Sequence, residues 1–118
     1  MEAHLHNHSG CRLTLKDTRL TWGRWSTEPA EVIRKGQDSL FEAASPLTVY
    51  AGVEGWVAYV SSNCDDAARN QHTVTLRFEI PIDGDNNRFT ADGDGVFRVE
   101  QSGGEGHHAV VGWGIRRA

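Results

Sequence analysis

The most regular feature of the chain is a short-range alternation of apolar and polar residues. Across residues 72–80 every second position is apolar, namely Val74, Leu76, Phe78 and Ile80, and the positions between them are threonine, arginine or glutamate. A period of two places the apolar side chains on one face of an extended chain. The segment is therefore predicted to be a half-buried antiparallel strand.

The same reasoning predicts further strands along the chain. Residues 56–60 are apolar on both faces, which is typical of a central strand. In the segment 109–116, Val111, Trp113 and Ile115 share one face, and two glycines leave the other face bare. The remaining predicted strands are residues 11–16, with Leu13 and Leu15 pointing inward, and residues 96–101.

Turn signals separate these segments, and no window longer than ten residues carries a helical period. The nearest candidate for helix, residues 65–69, is expected to form one turn at most. Turns are predicted at residues 9–10, 83–87, 92–95 and 102–104. The Asp-Gly-Asp-Gly sequence of the third, Asp92–Gly95, fits a hairpin turn that requires positive φ. Short strands with turns every roughly 8–12 residues indicate an all-β antiparallel β-sandwich with little or no helix.

Length, charge and hydropathy limit the kinds of partner and location that we expect for this protein. The chain has 118 residues, which predicts a single domain over 1–118. With 12 basic and 16 acidic residues the formal net charge is −4, so a nucleic acid partner is not expected. Mean hydropathy is −0.50, and no segment is apolar enough to span a bilayer. The first ten residues lack a basic region and an apolar stretch, so they are not expected to act as a secretory signal.

The chain has two cysteines, which are either free thiols or joined in a disulfide. Cys11 is in phase with Leu13 and Leu15 and is expected to point into the core, whereas Cys64 lies in the polar stretch 61–71. Because a pair of cysteines in a chain without an export signal rarely forms a structural bridge, both are expected to be free thiols.

Metal-binding patterns are present but incomplete. His4, His6 and His8 alternate on one strand face and could bind zinc, nickel or copper, joined by His107 and His108 if the strands meet. We interpret them as solvated, because no carboxylate or thiol is fixed nearby and structural zinc needs a closed shell. Asp83, Asp85 and Asn87 resemble the start of a calcium loop, but Arg88 stands where that loop requires glycine, so an acidic turn is expected. No metal or other cofactor is predicted.

Catalytic patterns are also missing. No serine lies in a Gly-x-Ser-x-Gly elbow. Cys11, on an apolar strand face, would have a raised thiol pKa rather than an activated one. The protein is therefore not expected to be an enzyme.

The tryptophans are the best candidates for a binding surface. Trp22 and Trp25 are three residues apart, so an extended chain puts one in the core and the other outside, unless a bulge at Gly23 turns both the same way. Tryptophan favours the membrane–water interface, because its ring is apolar and its N–H stays hydrated. Ordinary core and edge packing is the competing interpretation. The candidate membrane- or ligand-binding residues are Trp22, Arg24, Trp25, Trp56, Tyr59 and Trp113.

Four short signatures occur in a fixed order along the chain. They are NHSGCRLTL, LTWGRW, GVEGWVAY and FEIPIDGDN, which begin at Asn7, Leu20, Gly52 and Phe78. In this order the series resembles the aegerolysin family, and most closely the small component of bacterial binary insecticidal crystal toxins. The resemblance runs from about Leu5 to Ile115, with a longer stretch at 61–71 than the family has.

The resemblance implies a function as well as a fold. It implies an aegerolysin- or actinoporin-like sandwich that binds a membrane lipid or a gut receptor and works with a larger pore-forming partner protein. The implied role is the small component of a two-component pore-forming insecticidal toxin, without cofactor or catalytic residue. The resemblance does not decide whether the protein forms a homo-oligomer. We expect the protein to be stored in the cytoplasm or in an inclusion of the producing cell, or to be released from that cell, and then to act at a target-cell membrane.

Three alternatives remain at this point. One is a non-toxic metal- or redox-responsive protein that uses the histidines and Cys64. A non-toxic, aegerolysin-like lipid-binding protein would carry the same signatures. A lectin-like sandwich would use the same tryptophans to stack on sugar rings, and its binding would depend on sugar rather than lipid.

Overall fold

Strands account for most of the regular structure. The computed structural model describes residues 1–45, 52–81, 86–106 and 108–118. Within these ranges it contains ten strands and one short 3-10 helix, Ala67–Arg69, which lies in the stretch predicted to form one turn. The strands are β1 Glu2–His8, β2 Arg12–Trp22, β3 Arg24–Thr27, β4 Val32–Ile33, β5 Asp38–Ala44, β6 Val53–Ser62, β7 Thr73–Ile80, β8 Arg88–Asp92, β9 Phe97–Gly103 and β10 Val110–Arg117.

The strands form two five-stranded sheets. Sheet A has the order β3-β5-β1-β10-β9, and sheet B has the order β4-β2-β6-β7-β8. The inward side chains of both sheets form one core, which confirms the predicted β-sandwich. As predicted, β6 is the central strand of its sheet, and β7 buries Val74, Leu76, Phe78 and Ile80.

One strand pair departs from the antiparallel prediction. β1 and β10 run parallel, with Leu5 opposite Trp113. Residue alternation does not report the direction of pairing, since parallel and antiparallel strands share a period of two. The other described pairs are antiparallel. In the strand order of sheet A, β1 occupies the central position, between β5 and β10.

A buried amide joins the two sheets at one corner. The Asn7 side chain is fully buried, and its Nδ2 lies 2.8 Å from the carbonyl oxygen of Cys11 and 3.1 Å from that of Ile33. The same nitrogen is 3.0 Å from the Arg34 carbonyl oxygen. Its Oδ1 accepts bonds from the Ser9 backbone N–H and hydroxyl. Ser9 and Cys11 lie in the turn from β1 to β2, and Ile33 and Arg34 lie at the end of β4, so Asn7 pairs backbone groups of both segments.

The cysteines are joined, so the expectation of free thiols is wrong. Cys11 is buried as predicted, but it forms a disulfide with Cys64. The register of β2 and β6 pairs Arg12 with Ser62, which brings the residues just beyond each strand together. Asp65 N–H donates to the Gly10 carbonyl oxygen at 2.9 Å and holds the second segment in place. The redox compartment inferred from the sequence does not predict this bridge, because the strand register decides which cysteines come within bonding distance.

The turn at Asp92–Gly95 also differs from its prediction. Asp94 and Gly95 have φ of 58° and 76°, so the positive φ is confirmed. The turn is not a hairpin, however, because it leads from β8 in sheet B to β9 in sheet A. The predicted acidic turn at 83–87 falls largely on residues 82–85, which lie outside the described residues.

The strand registers define two ends of an elongated molecule of 47 × 22 × 19 Å. One end, called the Trp22 end, contains the end of β2, the start of β6 and the start of β10. At this end Asn87 Nδ2 donates to the carbonyl oxygens of Gly104 and Gly106, both at 2.8 Å. The opposite end, called the disulfide end, contains Cys11 and Cys64.

Removing the disulfide should lower stability substantially. Cys11 and Cys64 are 53 residues apart, and loop-closure entropy assigns a bridge of that span about 4 kcal/mol. We expect Cys64→Ala to lower the free energy of unfolding by about that amount in urea denaturation. A reductant should bring the wild-type protein down to the variant and leave the variant unchanged. Equal stability with and without reductant would contradict the bridge.

Removing the Asn7 amide should also destabilise the fold. Asn7→Ala leaves several buried backbone groups without a partner, at about 1–3 kcal/mol for each group that water does not reach. We expect a loss of at least about 2 kcal/mol in unfolding free energy. Gln101→Ala, which removes an exposed amide, is the matched control and should change stability by less than about 0.5 kcal/mol. Similar losses for the two variants would refute the role of Asn7.

Candidate functional site

The chain changes sheets at Gly23, and this separates Trp22 from Trp25. Gly23 has φ of +106°, and a Cβ there would lie 3.0 Å from the Ala44 carbonyl oxygen, so glycine suits the position. Trp22 ends β2 in sheet B, and Trp25 lies in β3 of sheet A. Trp22 projects into solvent and Trp25 packs inward, which is the first of the two arrangements that the sequence left open.

Three of the candidate aromatic residues pack in the interior. The Trp25 ring meets Phe41 edge-on at 5.5 Å between centroids, and Trp113 stacks on Phe41 at 6.3 Å. Trp113 and Tyr59 are fully buried. The Tyr59 hydroxyl donates to the Ala30 carbonyl oxygen at 2.7 Å, and burial raises the pKa of this hydroxyl. In this conformation Tyr59 and Trp113 have no surface to offer a ligand.

Among the described residues, the exposed large apolar side chains lie at the Trp22 end, one on each sheet. Among the described residues, the large apolar side chains classed as exposed are Trp22, at 59%, and Val110, at 52%. Trp22 is paired with Glu54 at the start of β6, and Val110 begins β10, so both lie at this end. Arg24, the candidate next to Gly23, is exposed and belongs to the same end. Sequence analysis missed Val110, because the alternation of β10 marks it only as an outward residue.

Trp56 lies in a groove on the outer face of sheet B. The groove has a volume of about 310 Å³, and Trp56 is half-buried within it. Gly55 shapes the floor, since a Cβ there would overlap the carbonyl oxygen of Arg19. Glycine in the GVEGW segment thus lets β2 approach β6 closely. We call this the sheet B groove, and the polar and aromatic side chains along its outer face are Arg19, Thr21, Glu54, Trp56, Arg77, Glu79, Arg88 and Thr90.

Charged side chains flank the indole in that groove. Arg19 on β2 pairs with Trp56 on β6, which in turn pairs with Arg77 on β7. The Arg77 guanidinium carbon lies 5.8 Å from the centre of the Trp56 ring, within the range of a cation–π contact. Trp56 is among the binding residues expected from the sequence, whereas neither arginine is. The alternation places Arg77 on the outer face, but only the register shows that Arg19 and Arg77 lie on either side of Trp56 in the sheet.

The histidines lie on the outer face of sheet A and have carboxylate neighbours. His4 Nε2 is 2.7 Å from Glu2 Oε2, and His6 Nδ1 is 2.9 Å from Asp38 Oδ1. The expectation that no carboxylate is fixed nearby is therefore wrong, since β5 brings Asp38 beside β1. Across the described part of the chain, no group of three potential ligands is placed to hold a metal ion. His107 lies outside the described residues.

A basic recess occupies the disulfide end. It is lined by Arg12, Arg34 and Lys35 beside Cys64. Lys35 Nζ donates to Asp65 Oδ1 at 2.8 Å, and this hydrogen bond lowers the pKa of the Asp65 carboxyl. The recess is shallow and its cations are partly compensated, so it defines a ligand less well than the sheet B groove does.

Comparison with solved structures identifies the fold. The crystal structure of the lipid-binding protein Nakanori superposes with a TM-score of 0.82 at 13% identity, covering 98% of this chain and 70% of Nakanori. RahU, crystallised in complex with a TRIS molecule, gives a TM-score of 0.74 at 12% identity, covering 99% of this chain and 95% of RahU. At such identities the similarity concerns the fold, which is an aegerolysin-like β-sandwich.

Sequence comparisons add no closer relative. No protein-family model matches the chain, and no curated protein matches it at a significant level. In the ranges that the structure describes, no helix has both the length and the apolar character needed to cross a bilayer.

The two tryptophans on either side of Gly23 should respond differently to truncation. Trp25→Ala removes a ring packed on Phe41 and Phe78 and should lower the free energy of unfolding by about 2–4 kcal/mol. Trp22→Ala removes an exposed ring and should change it by less than about 0.5 kcal/mol. Urea denaturation of both variants provides the comparison. A loss at Trp22 as large as that at Trp25 would contradict the assignment of Trp22 as a surface residue.

Proposed function

We propose that this protein binds membrane lipids, with the Trp22 end as its docking surface. The observation that carries the proposal is the exposure of Trp22 on a sandwich, 98% of which matches the fold of a lipid-binding protein. Tryptophan is the side chain best suited to the boundary between head groups and acyl chains. The role is one of binding, and no catalytic step is assigned to it.

The energetics favour a shallow, reversible contact. Transferring an apolar side chain of this size out of water is worth about 1.5–3 kcal/mol. Val110, at the same end, adds a smaller apolar area, and the adjacent Arg24 offers a cation to lipid phosphates. These contributions give membrane binding without a spanning segment. They also leave the buried aromatic core undisturbed, so the sandwich can dock as a rigid body.

The ordered glycine and aromatic signatures extend the proposal to a two-component system. In this form the protein is the small component, which recognises a target-cell membrane or a gut receptor. A larger pore-forming partner protein then completes the insecticidal pore. A lipid-binding role without toxicity agrees equally well with the fold. Adding a candidate partner to dye-loaded vesicles distinguishes the two, since dye release requiring both proteins supports the toxin.

The lipid-binding proposal is tested by sedimentation with vesicles. The vesicles contain phosphatidylcholine alone or with phosphatidylethanolamine, phosphatidylserine or sphingomyelin. We expect the wild-type protein to sediment with at least one composition. Trp22→Ala should bind that composition at least tenfold more weakly, because about 1.4 kcal/mol corresponds to a factor of ten and the lost transfer energy exceeds it.

Arg34→Gln is the matched control, since it alters an exposed residue at the disulfide end. It should bind as the wild-type protein does. If Arg34→Gln weakens binding while Trp22→Ala does not, the molecule docks by its other end. If the wild-type protein stays in the supernatant with every composition, the lipid-binding proposal fails.

A further inference from the structure

We propose that the sheet B groove binds an anionic saccharide, meaning a sugar ring that carries a carboxylate. The proposal is independent of lipid binding at Trp22, because it concerns the outer face of sheet B rather than the exposed ring at the molecule's end. The source of the sugar is either a glycolipid head group or a soluble glycan. Both present the same chemistry to the groove.

The strand register builds a row of three side chains across sheet B. Arg19, Trp56 and Arg77 lie directly opposite one another on β2, β6 and β7, so their side chains leave the same face. Neighbouring strands are about 4.8 Å apart, which separates the two arginine backbones by roughly 10 Å. Side chains of this length can therefore converge on one anion above the indole.

The two guanidinium groups are left for an external partner. Neither Arg19 nor Arg77 has a carboxylate within ion-pair distance among the described residues, although Glu54 and Glu79 line the same groove. The contact between Arg77 and the Trp56 ring holds one guanidinium in place before a ligand arrives. A planar guanidinium binds a carboxylate through two parallel hydrogen bonds, so these arginines favour a carboxylate over a neutral group.

The rest of the groove fits a sugar ring better than a simple anion. Trp56 is half-buried and offers part of a flat apolar surface next to the cations. The hydroxyl groups of Thr21 and Thr90 donate and accept, and the carboxylates of Glu54 and Glu79 accept hydrogen bonds from sugar hydroxyls. A volume of about 310 Å³ is at the lower end of the range for small-molecule sites, which suits a short oligosaccharide.

Nucleic acid is a poorer occupant of this groove. Polynucleotide binding draws its affinity from many phosphate contacts along a basic face, whereas this chain has a net charge of −4 and two carboxylates lie among the three arginines of the groove. A single carboxylate can bind between two arginines without an extended basic face.

Calorimetric titration of the intact protein tests the proposal with defined sugars. The probes are sialyllactose and a hyaluronan tetrasaccharide, which carry carboxylates, and lactose, which does not. We expect saturable binding of at least one acidic probe, with lactose at least tenfold weaker. Arg77→Gln and Arg19→Gln should each weaken the acidic probe at least tenfold, because each removes a charge-assisted hydrogen bond. Arg98→Gln, which removes an exposed arginine on sheet A, should bind as the wild-type protein does.

Several outcomes overturn the proposal. One is the absence of binding to both acidic sugars, and another is equal binding of lactose. A third is unchanged affinity in both groove variants with their fold intact by circular dichroism. Inorganic phosphate binding as tightly as the acidic sugar would show that the sugar ring contributes nothing to affinity.

The variant Trp22→Ala separates sugar binding from lipid binding, since it should still bind the sugar but bind vesicles more weakly. Comparing free sialyllactose with vesicles that contain a sialylated glycolipid then identifies the source.

Discussion

The buried amide of Asn7 holds the corner at which the chain passes from one sheet to the other. Its nitrogen and oxygen together bond backbone groups from the β1–β2 turn and from the end of β4. The disulfide between Cys11 and Cys64 closes the same corner covalently. Both interactions lie at the disulfide end, far along the strands from the exposed side chains of the Trp22 end.

The chain crosses between the sheets a second time at Gly23, and this crossing determines which aromatic side chain is exposed at the Trp22 end. A left-handed glycine lets the chain leave sheet B and enter sheet A within one residue, so Trp22 and Trp25 belong to different sheets. One ring then completes the core while the other meets solvent. The sheet B groove begins beside this end, since Trp22 is paired with Glu54. The two proposed binding surfaces are thus adjacent but use different chemistry, an apolar ring in one case and paired guanidinium groups in the other.

The sequence predicted the features that depend on local pattern. The inward residues of β7 and β10, the central position of β6 and the positive φ near Asp94 all follow from alternation or turn chemistry. It did not predict the features that depend on which strands meet. The disulfide, the parallel pairing of β1 with β10, the Asp38 neighbour of His6 and the Arg19–Trp56–Arg77 row are consequences of register. Register is a long-range property that residue spacing alone does not encode.

The most direct test of the account is fluorescence quenching by vesicles whose acyl chains carry bromine, compared between the wild-type protein and Trp22→Phe. Bromine quenches a tryptophan only at close range, and the other three tryptophans lie in the core or on sheet faces. We expect quenching in the wild-type protein that disappears in Trp22→Phe, while vesicle binding persists at reduced affinity. Quenching that is undiminished in Trp22→Phe would contradict this expectation and would place another part of the molecule at the membrane.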